Sequence, residues 1–151
     1  MPAKNRTHLT SPQRSRGQAL IEFALMLPLL LLLIVGAIEF GRLFFTKIVV
    51  TNAAREAAYY YATNPSGYDA DILQTRAAEV AQTEAANSGV NAVNMAEPTI
   101  IDYGDYKSVK ITVSTTVSDL LILNFGANFL SVRATNYAGF PLSSTVEMMI
   151  Q

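Results

Sequence analysis

Residues 23–38 read FALMLPLLLLLIVGAI, an unbroken run of apolar or small side chains. The block extends over residues 18–41, in which Glu22 and Glu39 are the only charged residues. About 20 residues of helix cross the hydrocarbon core of a bilayer, so this block is long enough to span a membrane. A helix packed in a soluble protein would carry a polar stripe, and none is present over about four turns. The block therefore predicts a transmembrane helix over about residues 18–41, in which Pro28 is tolerated.

A basic segment precedes the span. Residues 1–17 contain Lys4, Arg6, Arg14 and Arg16, and they contain no acidic residue. Their proline, serine and threonine content and their lack of apolar periodicity are typical of disorder. Positive charge beside a span favours the cytoplasmic side, so the N-terminus is predicted to lie inside the cell.

The helical pattern continues beyond the span to Thr63, with apolar residues three and four positions apart. Residues 64–67, NPSG, then end the helix. A continuous helix over residues 18–63 would be roughly 70 Å long, about twice the thickness of the hydrocarbon core. Its outer half is therefore expected to stand clear of the bilayer as a stalk.

Residues 64–151 predict a small extracytoplasmic unit that begins with one short helix. Asp71 and Gln74 have the spacing of a capping box, with Asp71 as the N-cap residue. The helix that they begin is predicted to end near Asn87, ahead of Gly89.

Strands are predicted at four places in this unit. Strict alternation over residues 109–118 indicates a strand with one buried and one solvent-facing side. Shorter strands are predicted at residues 99–103, 130–134 and 146–150, and residues 120–125 form an apolar patch. Such a unit has only a thin core, so the sheet is predicted to pack against the outer half of the long helix. The predicted fold class is α+β, with a small antiparallel sheet.

Composition excludes several kinds of site. The absence of cysteine excludes disulfide scaffolds, thiolate zinc sites and cysteine nucleophiles, and the single histidine excludes multi-histidine metal sites. A net charge of −1 provides no basic face for nucleic acid.

Two acidic pairs invite a metal interpretation: Asp69 with Asp71, and Asp102 with Asp105. Cap and turn roles explain both pairs, which lack the ligand density of a calcium loop. We therefore predict no enzyme activity, no cofactor and no bound metal.

The junction between the basic segment and the span carries the functional signal. Residues 16–23 read RGQALIEF, so a basic tail ends at Gly17 and the apolar helix follows at once. A secretory signal peptide is cut after its apolar stretch, whereas here the small residue precedes that stretch. The junction resembles that of type IV prepilins, in which a glycine precedes the scissile bond and a glutamate follows at the fifth mature position. That glutamate is Glu22 here, and the cut would remove residues 1–17.

Further along the chain, residues 16–58 resemble the TadE-like family of pseudopilins, accessory components of Tad (Flp-type) pilus systems. The matching residues are Arg16, Gly17, Ala19, Glu22, Phe23, Ala24, Pro28, Glu39, Phe40, Gly41, Arg42, Ala53, Ala54, Arg55 and Glu56. The resemblance implies a protein of the inner (cytoplasmic) membrane, or of the pilus, that is cut between Gly17 and Gln18 by an aspartyl prepilin peptidase. Its implied partners are that peptidase and other pilins or pseudopilins. The chain is too short for relatives with a von Willebrand-type domain and far longer than a major Flp pilin, which leaves a minor component.

Glu22 needs compensation, because a carboxylate inside a span costs a few kcal/mol. Cleavage would create an α-amino group on Gln18, one helical turn away. In an assembly, that amine on a neighbouring subunit can pair with Glu22 and set the axial register. The alternative is that Glu22 is a membrane-edge residue that extends to the cytoplasmic headgroups.

Two further charged pairs are candidates for a helix interface. Glu39 and Arg42 lie three residues apart at the outer membrane boundary, and a local ion pair is favoured over a contact between subunits. Arg55 and Glu56 are flanked by alanines, where either another helix or the sheet could approach.

Two other functions compete with the pseudopilin interpretation. One is an uncleaved, signal-anchored envelope protein whose outer domain binds a partner or a glycan. The other is a small membrane-bound enzyme, which the residue inventory disfavours. The N-terminus of the membrane form distinguishes the first of these from a processed pilin.

Overall fold

The computed structural model describes residues 13–64, 69–118 and 139–150. Its elements are α1 (Gln13–Thr63), α2 (Ala70–Asn87), β1 (Asn94–Met95), β2 (Thr99–Asp102), β3 (Lys107–Val117) and β4 (Phe140–Met149). A long apolar helix, a short helix and a small antiparallel sheet confirm the predicted α+β fold.

Helix α1 contributes to two compact units, one ending at Ala37 and the other beginning at Ile38. In the first unit, the side chains of residues 17–34 are all exposed, and Leu25 is 75% exposed. Among the described residues, α1 is the one helix long and apolar enough to cross a membrane. This finding supports a single-pass membrane protein, in which lipid rather than protein surrounds these side chains.

Strand β3 is the centre of the sheet, and its pairings are antiparallel. Strand β4 pairs with one edge of β3 from Ser108 to Val117, while β2 and the two-residue β1 share the other edge. The alternation predicted along β3 is confirmed, since Val109, Ile111 and Val113 are fully buried on one face.

The core of the second unit combines small residues from two helices with the branched residues of β3. Its helical members are Val49, Val50, Ala53, Ala54, Ala57, Ala58, Tyr61 and Ala62 from α1, and Leu73, Ala77, Ala81 and Ala85 from α2. Alanine side chains allow close approach of backbones, so the valines and the isoleucine of β3 fill the remaining space.

Two polar contacts join α1 to β4 directly. Lys47 Nζ donates a hydrogen bond to the carbonyl of Ser143, and Thr51 Oγ1 donates one to Ser144 Oγ at 3.1 Å. Together with the shared core, these contacts confirm that the sheet packs against the outer part of α1.

The start of α2 corrects the predicted cap. The helix begins at Ala70, so Asp69 is the N-cap residue, and its side chain makes no capping hydrogen bond. The Asp69 carbonyl instead accepts a hydrogen bond from the Leu73 amide at 3.0 Å. Asp71 lies in the first turn, where its negative charge interacts favourably with the positive end of the helix dipole. The prediction of Asp71 as the N-cap residue was therefore wrong. Alanine has a high helix propensity, so Ala70 joins the helix and the cap moves back to Asp69.

The end of α2 agrees with the prediction. The helix ends at Asn87, and Gly89 adopts a left-handed φ of +82° that glycine accepts without strain. The Val90 amide then donates to the Ala85 carbonyl at 2.9 Å, which satisfies a terminal helical acceptor. The buried face of α2 consists of Leu73, Ala77, Ala81 and Ala85, and Val80 is only partly buried.

The strands differ from prediction in two respects. Strand β4 begins at Phe140, well before the predicted start at residue 146, although Pro141 cannot donate a hydrogen bond. Proline is accepted here because β4 pairs only with β3 among the described strands, as an edge strand does. Strand β1 was too short to predict. The strand predicted at 130–134 and the apolar patch at 120–125 lie outside the described residues.

Candidate processing and assembly site

The predicted cleavage residues lie inside α1, in its first unit. Gly17 is exposed, and a Cβ atom added there would meet no atom within 4 Å. A glycine in a helix lowers its stability by about 1 kcal/mol relative to alanine. Packing within the described chain therefore gives no reason for a glycine at this position.

The structure brings Gln18 and Glu22 together. Gln18 Nε2 donates a hydrogen bond to Glu22 Oε1 at 3.2 Å across one helical turn, and both side chains are exposed. Gln18 is also the residue that would carry the new α-amino group after cleavage. Glu22 thus has a donor one turn away in its own chain, and this hydrogen bond gains strength in a low-dielectric environment.

Glu39 and Arg42 form a partly buried pair in the second unit. Arg42 Nη1 lies 3.2 Å from Glu39 Oε1, and the arginine side chain is 46% exposed. Glu39 itself is only 3% exposed. The pair is local, as the sequence favoured, but it is not an ordinary surface pair, because loss of Arg42 would leave a buried carboxylate with less compensation.

Arg55 and Glu56 are exposed on α1, between alanines that are fully buried. Helix α2 and the sheet pack on these alanines, whereas the side chains of Arg55 and Glu56 are exposed. Glu56 borders a surface depression of about 530 Å³ together with Arg76 and Glu84. A role for Arg55 and Glu56 in contacts between subunits stays a prediction.

A polar cluster on the outer face of the sheet was not predicted. Glu147 Oε1 accepts hydrogen bonds from Ser108 Oγ at 2.6 Å and from Tyr103 Oη at 3.0 Å. The Tyr103 ring stacks on Tyr106 with their centroids 4.9 Å apart. Ser108 is nearly fully buried although it lies on the polar face. Only the register between β3 and β4 brings Glu147 within reach of Ser108, and no sequence signal specifies that register.

The cluster shifts two ionisation equilibria. Hydrogen bonds from Ser108 first and Tyr103 second stabilise the charged carboxylate, so the pKa of Glu147 lies below its ordinary value. The hydrogen bond to Glu147, and the negative charge of that carboxylate, raise the pKa of Tyr103 above its ordinary value. The cluster is therefore intact between these two titrations.

Acid should weaken the second unit partly through Glu147. Because its pKa is depressed in the folded state, its stabilising contribution is present above the unfolded value of about 4.3 and is lost as pH falls through the folded value. Between pH 7 and about pH 3, the free energy of unfolding should fall less in Glu147→Gln than in the wild type. In Tyr103→Phe, this fall should lie between those of the wild type and Glu147→Gln. Denaturant unfolding of the detergent-solubilised protein, followed by circular dichroism, measures this decrease. Equal decreases in the wild-type and Glu147→Gln proteins would contradict the assignment.

These features define the class of protein: a membrane-anchored chain whose single long N-terminal helix continues into the core of a small α+β unit. Residues 17–58 match the family described as TadE-like protein, which confirms the predicted resemblance over this segment. The match begins at the candidate cleavage glycine and ends among the buried alanines of α1. No curated protein and no solved structure matches the chain.

Proposed function

We propose that this chain is a minor pilin or pseudopilin of the TadE-like type, which acts in the assembly of a Tad (Flp-type) pilus. The observation that carries the proposal is the family match over residues 17–58, which begins at the glycine of the prepilin-like junction. The uncovered apolar surface of the first unit supports a membrane location, from which a pilin helix enters an assembly.

We propose that a prepilin peptidase cuts between Gly17 and Gln18. The fold does not require glycine at position 17, since the surrounding space is open. A residue that weakens its own helix without a packing reason points to a requirement outside the chain, here access of a peptidase to the backbone. Glycine serves such access in two ways, because it presents no side chain and makes the helix easier to unwind.

In the proposed topology, the N-terminus lies on the cytoplasmic side and the α+β unit lies outside. The four basic residues before the span favour this orientation. Processing would then leave Gln18 as the first residue of a chain anchored in the inner membrane. Its partners would be the peptidase and other pilins or pseudopilins of the same system.

Gly17→Val should block processing, because a branched side chain beside the scissile bond obstructs the peptidase. Mass spectrometry of membrane-extracted protein should show the wild-type chain beginning at Gln18 and the variant retaining its leader. Gly41→Val is the matched control, since Gly41 also lies in α1 with no atom within 4 Å of an added Cβ. This control should be processed normally.

An intact leader on the wild-type chain, in cells that contain the peptidase, would overturn the proposed processing. The chain would then be an uncleaved envelope protein anchored by α1, whose outer unit binds a partner or a glycan. The same measurement therefore decides between the two functions.

A further inference from the structure

We infer that one end of the second unit is a bilayer-contact surface, at which Phe140 of β4 inserts among lipid headgroups beside Phe44 of α1. The inference requires α1 to span the membrane, but it does not depend on processing at Gly17 or on incorporation into a pilus. It assigns a lipid contact to a part of the chain that lies far from the span in sequence.

Two contacts between α1 and β4 fix the height of Phe140 along α1. Ser143 contacts Lys47, and Ser144 contacts Thr51, so decreasing residue numbers in β4 follow decreasing numbers in α1. Phe140 lies four residues before Ser144, and a strand rises about 3.3 Å per residue, which gives at most about 13 Å toward the membrane. Because a helix rises 1.5 Å per residue, this distance corresponds to about nine residues of α1. Phe140 is thereby placed between the levels of Arg42 and Thr51. Phe44 lies within this interval, three residues before Lys47, and therefore on the face of α1 that meets β4.

A second observation locates the adjoining end of β3 independently. Val117 is the register partner of Phe140. Val117 and Ser118 line a depression of about 300 Å³ whose opposite wall includes Arg42 and Thr46 of α1. The end of the sheet that carries Phe140 therefore lies beside the part of α1 that leaves the predicted span.

This end of the unit exposes large apolar side chains. Phe40 is 70% exposed, Phe44 60%, Phe45 54% and Phe140 45%. The rings of Phe40 and Phe44 stack with centroids 6.4 Å apart, which forms a continuous aromatic surface. Contiguous apolar surface of this kind marks a site of contact with protein or membrane.

Lipid is the occupant of this surface, because the surface is continuous with the predicted span and cations lie beside it. The exposed apolar residues of α1 extend from the span through Phe45 to Ile48, beyond the predicted boundary near residue 41. The cations nearest to this surface are Arg42 and Lys47, which suit the phosphates of headgroups. The acidic Glu39 is buried against Arg42 and adds little repulsion at the surface.

Site-specific fluorescence in vesicles tests the inference with the full-length chain. The protein contains no cysteine, so single substitutions provide unique attachment sites for an environment-sensitive probe. The test positions are Phe140→Cys and Ser118→Cys, and the second is a small change at an exposed residue that preserves folding. The matched control is Tyr106→Cys, which precedes β3 at its other end, about 36 Å from Val117 by strand rise.

The vesicles contain phosphatidylcholine carrying a nitroxide quencher near the headgroup end of its acyl chains. We expect quenching at positions 140 and 118 to exceed quenching at position 106 by at least about twofold, because interfacial side chains enter the headgroup region by 5–10 Å. Quenching at 140 and 118 no greater than at 106 would overturn the inference. Probes shielded from aqueous iodide yet not quenched by lipid would also overturn it, because protein rather than lipid would then cover this surface.

Discussion

A fragment that begins at Ser66 should fail to fold cooperatively, whereas a fragment that begins at Phe45 should unfold in a single transition. The shorter fragment lacks eight of the fifteen buried apolar residues that the described part of the chain contributes to the core. It also bares the inner face of β3, including Ile111. Burying a single large aliphatic side chain contributes about 1.5–3 kcal/mol, so exposing Val109, Ile111 and Val113 alone costs about 4.5–9 kcal/mol, which is comparable with the roughly 5–15 kcal/mol stability of an ordinary domain. Thermal unfolding followed by circular dichroism, with both fragments in the same buffer, measures the difference.

A point substitution tests the same packing without truncation. Ala57 of α1 is fully buried in the core of the second unit. Ala57→Leu should therefore destabilise this unit by about 1–3 kcal/mol through overpacking. Glu56→Leu introduces the same side chain at the adjacent exposed position and should change the stability by less than about 0.5 kcal/mol. Equal melting of the two fragments, or equal effects of the two leucine variants, would refute the packing of the unit on α1.

Glu22→Ala should abolish incorporation beside other pilins while leaving membrane insertion and processing intact. Removal of the charge makes the span more apolar, so insertion is unaffected. The peptidase is expected to recognise mainly the glycine and the basic leader, so the chain should still be cut. In the assembly, however, the α-amino group of a neighbouring Gln18 would lose its carboxylate partner in a low-dielectric contact. Crosslinking to pilin partners in membranes, compared among processed chains, measures incorporation.

Two companion variants show whether incorporation depends on the charge of Glu22 or on its hydrogen bond with the Gln18 side chain. Glu22→Gln retains the shape and a hydrogen bond but loses the charge, so it should keep at most partial incorporation. Gln18→Ala removes the side-chain hydrogen bond to Glu22 within the chain but keeps the α-amino group, so its incorporation should be close to normal. Normal crosslinking of Glu22→Ala would eliminate charge pairing and leave Glu22 as a membrane-edge residue.

Some residues of the candidate site could be predicted from their spacing in the sequence, whereas the burial and long-range contacts of others could not. Gly17 and Glu22 are candidates from the sequence alone, because their spacing relative to the span is a linear pattern. The pairing of Glu39 with Arg42 follows from helical geometry, since residues three apart share a face. The burial of Glu39 could not be predicted, because it depends on residues brought together by the fold. The cluster around Glu147 was missed for the same reason, as it joins residues on separate elements.

Local chemistry by itself determined several elements of this protein. An apolar run without a polar stripe specifies a span, alternation specifies β3, and Gly89 ends α2 because few other residues accept its left-handed conformation. Tertiary structure decided which surfaces meet. Alanines of α1 and α2 are buried in the core, but their small side chains give only a weak apolar pattern in the sequence. Strand β4 extends to Phe140 only because β3 provides a full-length pairing edge. Periodicity is a property of neighbouring residues along the chain, whereas register and burial are set by side chains far apart in sequence that must fit one another.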